Sequence, residues 1–132
     1  MSSNSHQNYT RQWANDTDIP VFSVDYRLSP NSHFPDALND CWQVYYWLLE
    51  EGEKQLGIKI DKVILAGDSA GGNLCCGITN LCIKKGYKMP HALVLSYPAV
   101  HTGIHSFMPS ILLSLDDSLL PSKLLRHTVR AY

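Results

Sequence analysis

The stretch KVILAGDSAGGNL, residues 62–74, decides the fold, because an apolar run passes there into a helical pattern through one glycine-flanked turn. Residues 62–66 are mostly aliphatic and β-branched, which predicts a buried strand. Apolar residues at helical spacing follow, and they predict a helix over residues 70–85 that ends at two lysines and Gly86. A strand that leads directly into a helix is typical of folds built on a parallel sheet.

The segments on either side continue this alternation. Upstream, residues 19–24 form a short apolar run that predicts another buried strand. Downstream, residues 92–97 predict a third strand, which ends at Pro98. Continuous apolar strands that alternate with helices indicate an α/β fold, so we expect a parallel sheet of about three strands flanked by helices.

Three further helices are predicted around these strands. One begins at Pro35 and carries an apolar stripe at helical spacing: Phe34, Leu38, Cys41, Tyr45, Leu48 and Leu49. The second covers residues 9–15 and would turn Tyr9 and Trp13 inward. The third covers residues 121–132 and begins at Pro121.

The turn itself has the pattern Gly67-x-Ser69-x-Gly71 between a strand and a helix, and this context predicts a serine nucleophile. Ser69 would sit at the apex of a sharp turn with its hydroxyl exposed. The Ala70 N–H, at the start of the helix, would point at the oxyanion formed when Ser69 attacks a carbonyl. Strand and helix would pass so close at this turn that side chains at Gly67 and Gly71 would collide. We assign supporting roles in the turn to Gly67, Asp68, Gly71 and Gly72.

A phosphate-binding glycine loop is the alternative interpretation of this turn. Such loops need the pattern G-x-x-x-x-G-K-[S/T] or G-x-G-x-x-G, and residues 67–74 have neither. The carboxylate of Asp68 would also repel a phosphate. The sequence therefore favours the nucleophile interpretation.

Four ordered motifs resemble the hormone-sensitive lipase family of esterases and lipases. They are DYRLSP at 25–30, where the family has alanine at position 29, FPDAL at 34–38, GDSAGGNL at 67–74 and YP at 97–98. The segment 112–121 is similar to hormone-sensitive lipase itself rather than to its bacterial relatives. The resemblance implies an α/β-hydrolase fold and hydrolysis of carboxylic esters, such as acylglycerols, sterol esters or small acyl esters, through an acyl-enzyme on Ser69, with no cofactor.

The family's pattern is incomplete in this chain. Its H-G-G motif, which supplies further oxyanion donors, would lie upstream of residue 1, and its acid and histidine would lie downstream of residue 132. Asp116, Asp117 and His127 follow Ser69 but lack the family's spacing. We therefore expect residues 1–132 to be a partial α/β-hydrolase catalytic domain, an internal fragment that is weak or inactive alone. For Asp25 and Arg27 we expect a structural role in the turn after the first strand.

Two other functions stay open at this point. The chain could be a catalytically incomplete binding or regulatory module that pairs a free sheet edge with a full-length relative. It could also be an unrelated α/β domain that binds a small ligand at the strand ends. Reaction of Ser69 with a fluorophosphonate would separate the unrelated ligand-binding domain from the hydrolase.

Composition excludes several classes of partner. The 132 residues have a net charge of −1 and no basic block, which argues against nucleic acid. No apolar run is long enough to span a membrane, and residues 1–8 do not resemble a secretory signal. Four cysteines without metal-site spacing predict free thiols, no metal and a cytoplasmic protein. From the resemblance we also expect association with a lipid-droplet surface, and from the free sheet edges we expect self-association.

Overall fold

The computed structural model describes residues 3–101, 118 and 121–131. A short 3₁₀ turn, Ser3–His6, leads into helix α1. The helices are α1 Gln7–Thr17, α2 Asp36–Trp47, α3 Glu53–Leu56, α4 Ala70–Lys85 and α5 Ser122–Ala131, and the strands are β1 Ile64–Asp68 and β2 Ala92–Ser96. A π-helical turn, Leu48–Gly52, joins α2 to α3. Helix α3 ends at its C-cap Gly57, which with Gly52 is one of the two glycines that the sequence predicts as the end of the helix from Pro35.

The two strands form a parallel pair connected by α4, as predicted for an α/β fold. The register runs from Ile64 opposite Ala92 to Asp68 opposite Ser96. Strand β1 ends two residues later than predicted, because Gly67 and Asp68 still pair with β2 despite their low strand propensity. The strand therefore continues up to the residue before Ser69.

The strand predicted over residues 19–24 is not found in the structure. The structure gives this segment no strand, so the described sheet has two strands rather than about three. An apolar run indicates burial, but a strand also needs a neighbour that completes its ladder of backbone hydrogen bonds. Val24 and Tyr26 still pack against the core, while Ile19 and Phe22 are exposed.

The core lies between α2, α4 and the face of the sheet that the helices cover. Its buried members are Ala37, Cys41, Tyr45, Leu48, Val63, Leu74, Ile78 and Cys82. The stripe predicted for α2 is confirmed at Cys41, Tyr45 and Leu48, whereas Phe34 before the helix is 59% exposed. Helices α2 and α4 approach closely at Gly77, where an added Cβ would lie 2.8 Å from Leu38 Cδ1.

Helix α1 does not bury the residues predicted to face inward. Tyr9 and Trp13 are 38% and 43% exposed and stack on each other with ring centroids 4.9 Å apart. Their spacing places both rings on one face of the helix, but in the described part of the chain nothing covers this face. The rings shield each other instead.

The four cysteines are free, as predicted. Burial raises the pKa of Cys41 and Cys75 to about 11, so both are protonated and unreactive near neutral pH. In the described ranges, no three histidine, cysteine or carboxylate side chains gather as metal ligands would. No helix described here has both the length and the apolar character needed to cross a membrane. Asp116, Asp117 and most of the leucine-rich segment 112–121 lie outside the described residues.

Candidate active site

Ser69 occupies the turn between β1 and α4 in a strained backbone conformation. Its φ is 49° and its ψ is −113°, a region that residues with a side chain rarely adopt. Such strain persists when surrounding bonds hold it, and it occurs often at functional sites. The residue is exposed to solvent.

Three backbone hydrogen bonds hold Ser69 in this conformation. Its N–H donates to Ser96 O (3.0 Å), which extends the ladder of the sheet by one bond. Its carbonyl oxygen accepts from Asn73 N (3.2 Å) in the first turn of α4 and from Ala99 N (3.0 Å) beyond β2. The turn is therefore fixed to the neighbouring strand, to the following helix and to the segment after β2.

Two glycines allow the strand and the helix to approach this closely. A Cβ on Gly67 would lie 2.4 Å from the carbonyl carbon of Gly71 and 2.8 Å from Gly72 N, both backbone atoms. A Cβ on Gly72 would lie 2.8 Å from Pro98 Cβ. At Gly71 the nearest atom would be Asp68 Oδ1, at an ordinary 3.9 Å. The close approach expected at Gly71 is therefore found at Gly72.

The first turn of α4 presents backbone N–H groups beside Ser69. The first bond within this helix is donated by Asn73 N, so the N–H groups of residues 70–72 precede the helical ladder. Ala70 is exposed. The positive end of the helix dipole adds to these donors, so the position suits an oxygen that becomes negative next to the Ser69 hydroxyl.

The segment after β2 supports the turn, a role that the sequence did not reveal. Tyr97 has a positive φ of 36° and is 75% exposed. Pro98 packs on Gly72, and Ala99 O accepts from Asn73 Nδ2 (2.8 Å). The pair Tyr97-Pro98 signalled the end of a strand, but nothing in its local pattern indicated contact with α4.

The carboxylate of Asp68 has partners from two distant parts of the chain. His6 Nε2 lies 3.3 Å from Oδ1 and 3.4 Å from Oδ2, and the Tyr97 hydroxyl donates to Oδ2 at 3.4 Å. Burial, followed by the negative charge of Asp68, raises the pKa of the nearby Tyr9 phenol. Sequence reasoning did not single out His6, which is separated from Asp68 by 62 positions.

Asp25 and Arg27 act structurally, each through a different partner. Asp25 accepts from the backbone N–H (2.6 Å) and the hydroxyl (2.8 Å) of Ser3, and the first of these bonds contributes most to lowering the pKa of Asp25. Arg27 forms a two-pronged ion pair with Asp40, whose carboxylate also accepts from the Arg27 backbone N–H. These contacts fix the segment before α2 to that helix and to the start of the chain.

The described residues do not enclose this turn in a cavity. An open groove of about 550 Å³ runs along α4, between Phe34 and Leu38 on one side and Val100 on another. Asn73 borders the groove, but residues 67–72 do not. The candidate site is thus an exposed turn at the carboxyl end of the sheet.

This arrangement of strand, strained serine and helix agrees with comparisons to known proteins. Residues 1–132 match a sequence profile described as alpha/beta hydrolase fold. The chain belongs to the α/β-hydrolase fold family. Membership confirms the fold class predicted from the sequence, a parallel sheet with flanking helices.

The α/β hydrolases that this chain resembles include lipases and esterases. The chain is 41% identical to hormone-sensitive lipase of Mus musculus over 132 residues, which are all of this chain and 17% of that protein. A hyperthermophilic esterase from Pyrobaculum calidifontis superposes with a TM-score of 0.91 at 33% identity, over all of this chain and 43% of the esterase. A hormone-sensitive lipase from a metagenome library gives a TM-score of 0.83 at 32% identity, with the same coverage. These likenesses confirm the predicted resemblance to the hormone-sensitive lipase family, and the chain spans less than half of each of the three proteins.

Proposed function

We propose that this α/β-hydrolase chain carries the nucleophile segment of a carboxylic ester hydrolase, with Ser69 as the nucleophile. The observation that supports this most is the conformation of Ser69, whose strained φ of 49° is held by bonds to β2, α4 and Ala99. A plain strand-to-helix turn has no need of a strained, exposed serine. The positive end of α4 beside its hydroxyl adds the electrostatics that acyl transfer requires.

The proposed reaction proceeds through an acyl-enzyme. The Ser69 oxygen attacks the ester carbonyl carbon while a general base takes the hydroxyl proton, and the carbonyl electron pair moves onto oxygen. The Ala70 N–H stabilises this oxyanion. The intermediate collapses, the C–O bond to the alcohol breaks, and the alcohol leaves with the proton. Water then hydrolyses the acyl group from Ser69.

The base for this reaction belongs to another part of the protein in our proposal. Among the described residues, no side chain is hydrogen-bonded to the Ser69 hydroxyl. We propose that residues 1–132 form part of one catalytic domain whose other segments supply the acid, the histidine and further oxyanion donors.

The substrates would be acylglycerols, sterol esters or small acyl esters. The protein would act in the cytoplasm, where buried free thiols stay reduced.

A binding module is the second candidate, and the uncovered face of the sheet favours it. Ile64 and Val94 lie on the face that the helices leave open, and they are 55% and 49% exposed. Such an apolar face could pack against a second copy of the chain or contact a lipid-droplet surface. In a binding module Ser69 would be inert, so the reactivity of Ser69 distinguishes this candidate from the hydrolase.

Labelling with a fluorophosphonate tests the proposed function. We expect the full-length protein to form one adduct, which peptide mapping by mass spectrometry places on Ser69. Ser69→Ala should abolish the adduct, while Ser23→Ala, a change at another exposed serine, should leave it intact. A folded protein that neither labels nor hydrolyses a short-chain ester would overturn the hydrolase proposal and favour the binding module.

A further inference from the structure

Asp68 lies where its carboxylate can interfere with the proposed oxyanion donor. Aspartate side chains readily accept from the backbone N–H two residues onward, which for Asp68 is the Ala70 N–H. The positive end of α4 adds to this attraction. The carboxylate lies beside the first turn of α4, since Oδ1 would be 3.9 Å from a Cβ added to Gly71. A carboxylate bound to the Ala70 N–H would occupy the place of the developing oxyanion.

Two side chains hold the carboxylate in another direction. His6 Nε2 lies 3.3 Å from Oδ1, and the Tyr97 hydroxyl donates to Oδ2 at 3.4 Å. One partner precedes α1 and the other follows β2, so the carboxylate is restrained from two sides. Both contacts are long and partly exposed, which suits a restraint on orientation better than a large contribution to folding.

The imidazole of His6 is itself oriented for this contact. Its Nδ1 lies 3.0 Å from the Ser5 hydroxyl, and the edge of its ring meets Tyr9 with centroids 5.5 Å apart. A carboxylate accepts but does not donate, so Nε2 carries the proton toward Asp68 and Nδ1 accepts from Ser5 when the ring is neutral. The backbone of His6 is fixed as well, since its carbonyl accepts from the Thr10 hydroxyl (3.0 Å).

We infer that His6, with Tyr97, is a positioning residue that keeps the Asp68 carboxylate away from the Ala70 N–H. The inference rests on the proposed function, in which this N–H stabilises the oxyanion. His6 does not touch the substrate in this account. It acts through Asp68, so its removal matters only while Asp68 carries a carboxylate.

A double-mutant cycle between His6 and Asp68 tests the inference in the full-length protein. The readout is the rate constant for fluorophosphonate labelling of Ser69, since that reaction also develops negative charge on an oxygen. His6→Ala should slow labelling on the order of tenfold, less than complete loss of an oxyanion donor would. In the Asp68→Ala background, His6→Ala should have no further effect, because no carboxylate remains to occupy the donor.

Two other variants keep the test independent of a folding defect. His6→Gln retains an N–H donor and should restore most of the rate, while Tyr97→Phe should slow labelling in the same direction as His6→Ala. His91→Ala is the matched control. This imidazole also bonds to the sheet, at the opposite end, where its Nδ1 accepts from Val63 N at 3.2 Å. Its loss should leave the labelling rate unchanged.

The outcomes separate the two proposals. If wild type labels and His6→Ala slows labelling equally with and without Asp68, His6 has a general structural role and the inference is overturned. If His91→Ala slows labelling as much as His6→Ala, the inference is also overturned. If folded wild type does not label, the proposed function fails and the inference fails with it. In that case the ¹⁵N shifts of the His6 ring in wild type and Asp68→Ala still report whether the contact exists.

Discussion

The two ends of the parallel sheet differ in how their backbone is held. At the carboxyl end, the residues directly after the strands, Ser69 and Tyr97, both have positive φ and are exposed. At the amino end, Val63 and His91 have ordinary φ and bond to each other, through His91 N to Val63 O (2.8 Å) and Val63 N to His91 Nδ1 (3.2 Å). Strain is thus confined to the end that carries the proposed nucleophile, and the amino end holds the strands together without it.

The largest effect on stability and labelling should come from Gly67→Ala, which changes the carboxyl end of β1 directly. The new Cβ would meet backbone atoms of Gly71 and Gly72 at 2.4–2.8 Å, so α4 must move away from β1. We expect a loss of about 3 kcal/mol in the free energy of unfolding, measured by urea denaturation, together with loss of Ser69 labelling.

Gly71→Ala is the matched control for this change. Its Cβ has ordinary contact at 3.9 Å, so the free energy of unfolding should change by less than about 1 kcal/mol. Equal losses in the two variants would show that the asymmetry between Gly67 and Gly71 is not real.

Gly72→Ala tests the packing between α4 and the segment after β2. Its Cβ would lie 2.8 Å from Pro98 Cβ, 3.1 Å from Pro98 Cα and 3.2 Å from Gly67 O, so the segment after β2 must shift. We expect a loss of about 2 kcal/mol and a clear drop in labelling rate. Adding Pro98→Gly should recover part of both, which a double-mutant cycle measures. Strict additivity of the two changes would contradict this contact.

Local signals in the sequence predict part of the site, and contacts between distant residues account for the rest. Helix α4 has the predicted bounds, because its start and its end are each marked by local residues: the glycine-flanked serine, two lysines and Gly86. The packing of Gly72 on Pro98 and the contact of His6 with Asp68 join residues far apart in the chain. Their patterns carry no local signal for each other. The strand predicted over residues 19–24 is wrong for a related reason, because strand formation depends on a partner outside the segment.

Alkaline pH should weaken the core between α2, α4 and the sheet. Burial raises the pKa of Cys41 and Cys75 from 9.0 to about 11, so between pH 9 and 11 the folded chain binds more protons than the unfolded chain. Stability is therefore fully present below pH 9 and falls as pH rises through 11, at up to about 1.4 kcal/mol per pH unit for each thiol.

Urea denaturation at several pH values measures this slope. Cys41→Ala should make the slope shallower, because it removes one buried thiol with a raised pKa. A slope unchanged by Cys41→Ala would contradict the assignment to the buried thiols.

The smallest effect is expected from His91→Ala, which weakens the amino end alone. Val63 N loses its bond to the imidazole, but the exposed position of His91 lets water replace the acceptor, so the free energy of unfolding should fall by about 0.5–1 kcal/mol. Labelling of Ser69 should not change, because the three bonds that hold its backbone lie at the other end of the strands. If labelling fell in proportion to stability, the two ends would be coupled through the sheet, and the strain at Ser69 would depend on the fold as a whole rather than on its local bonds.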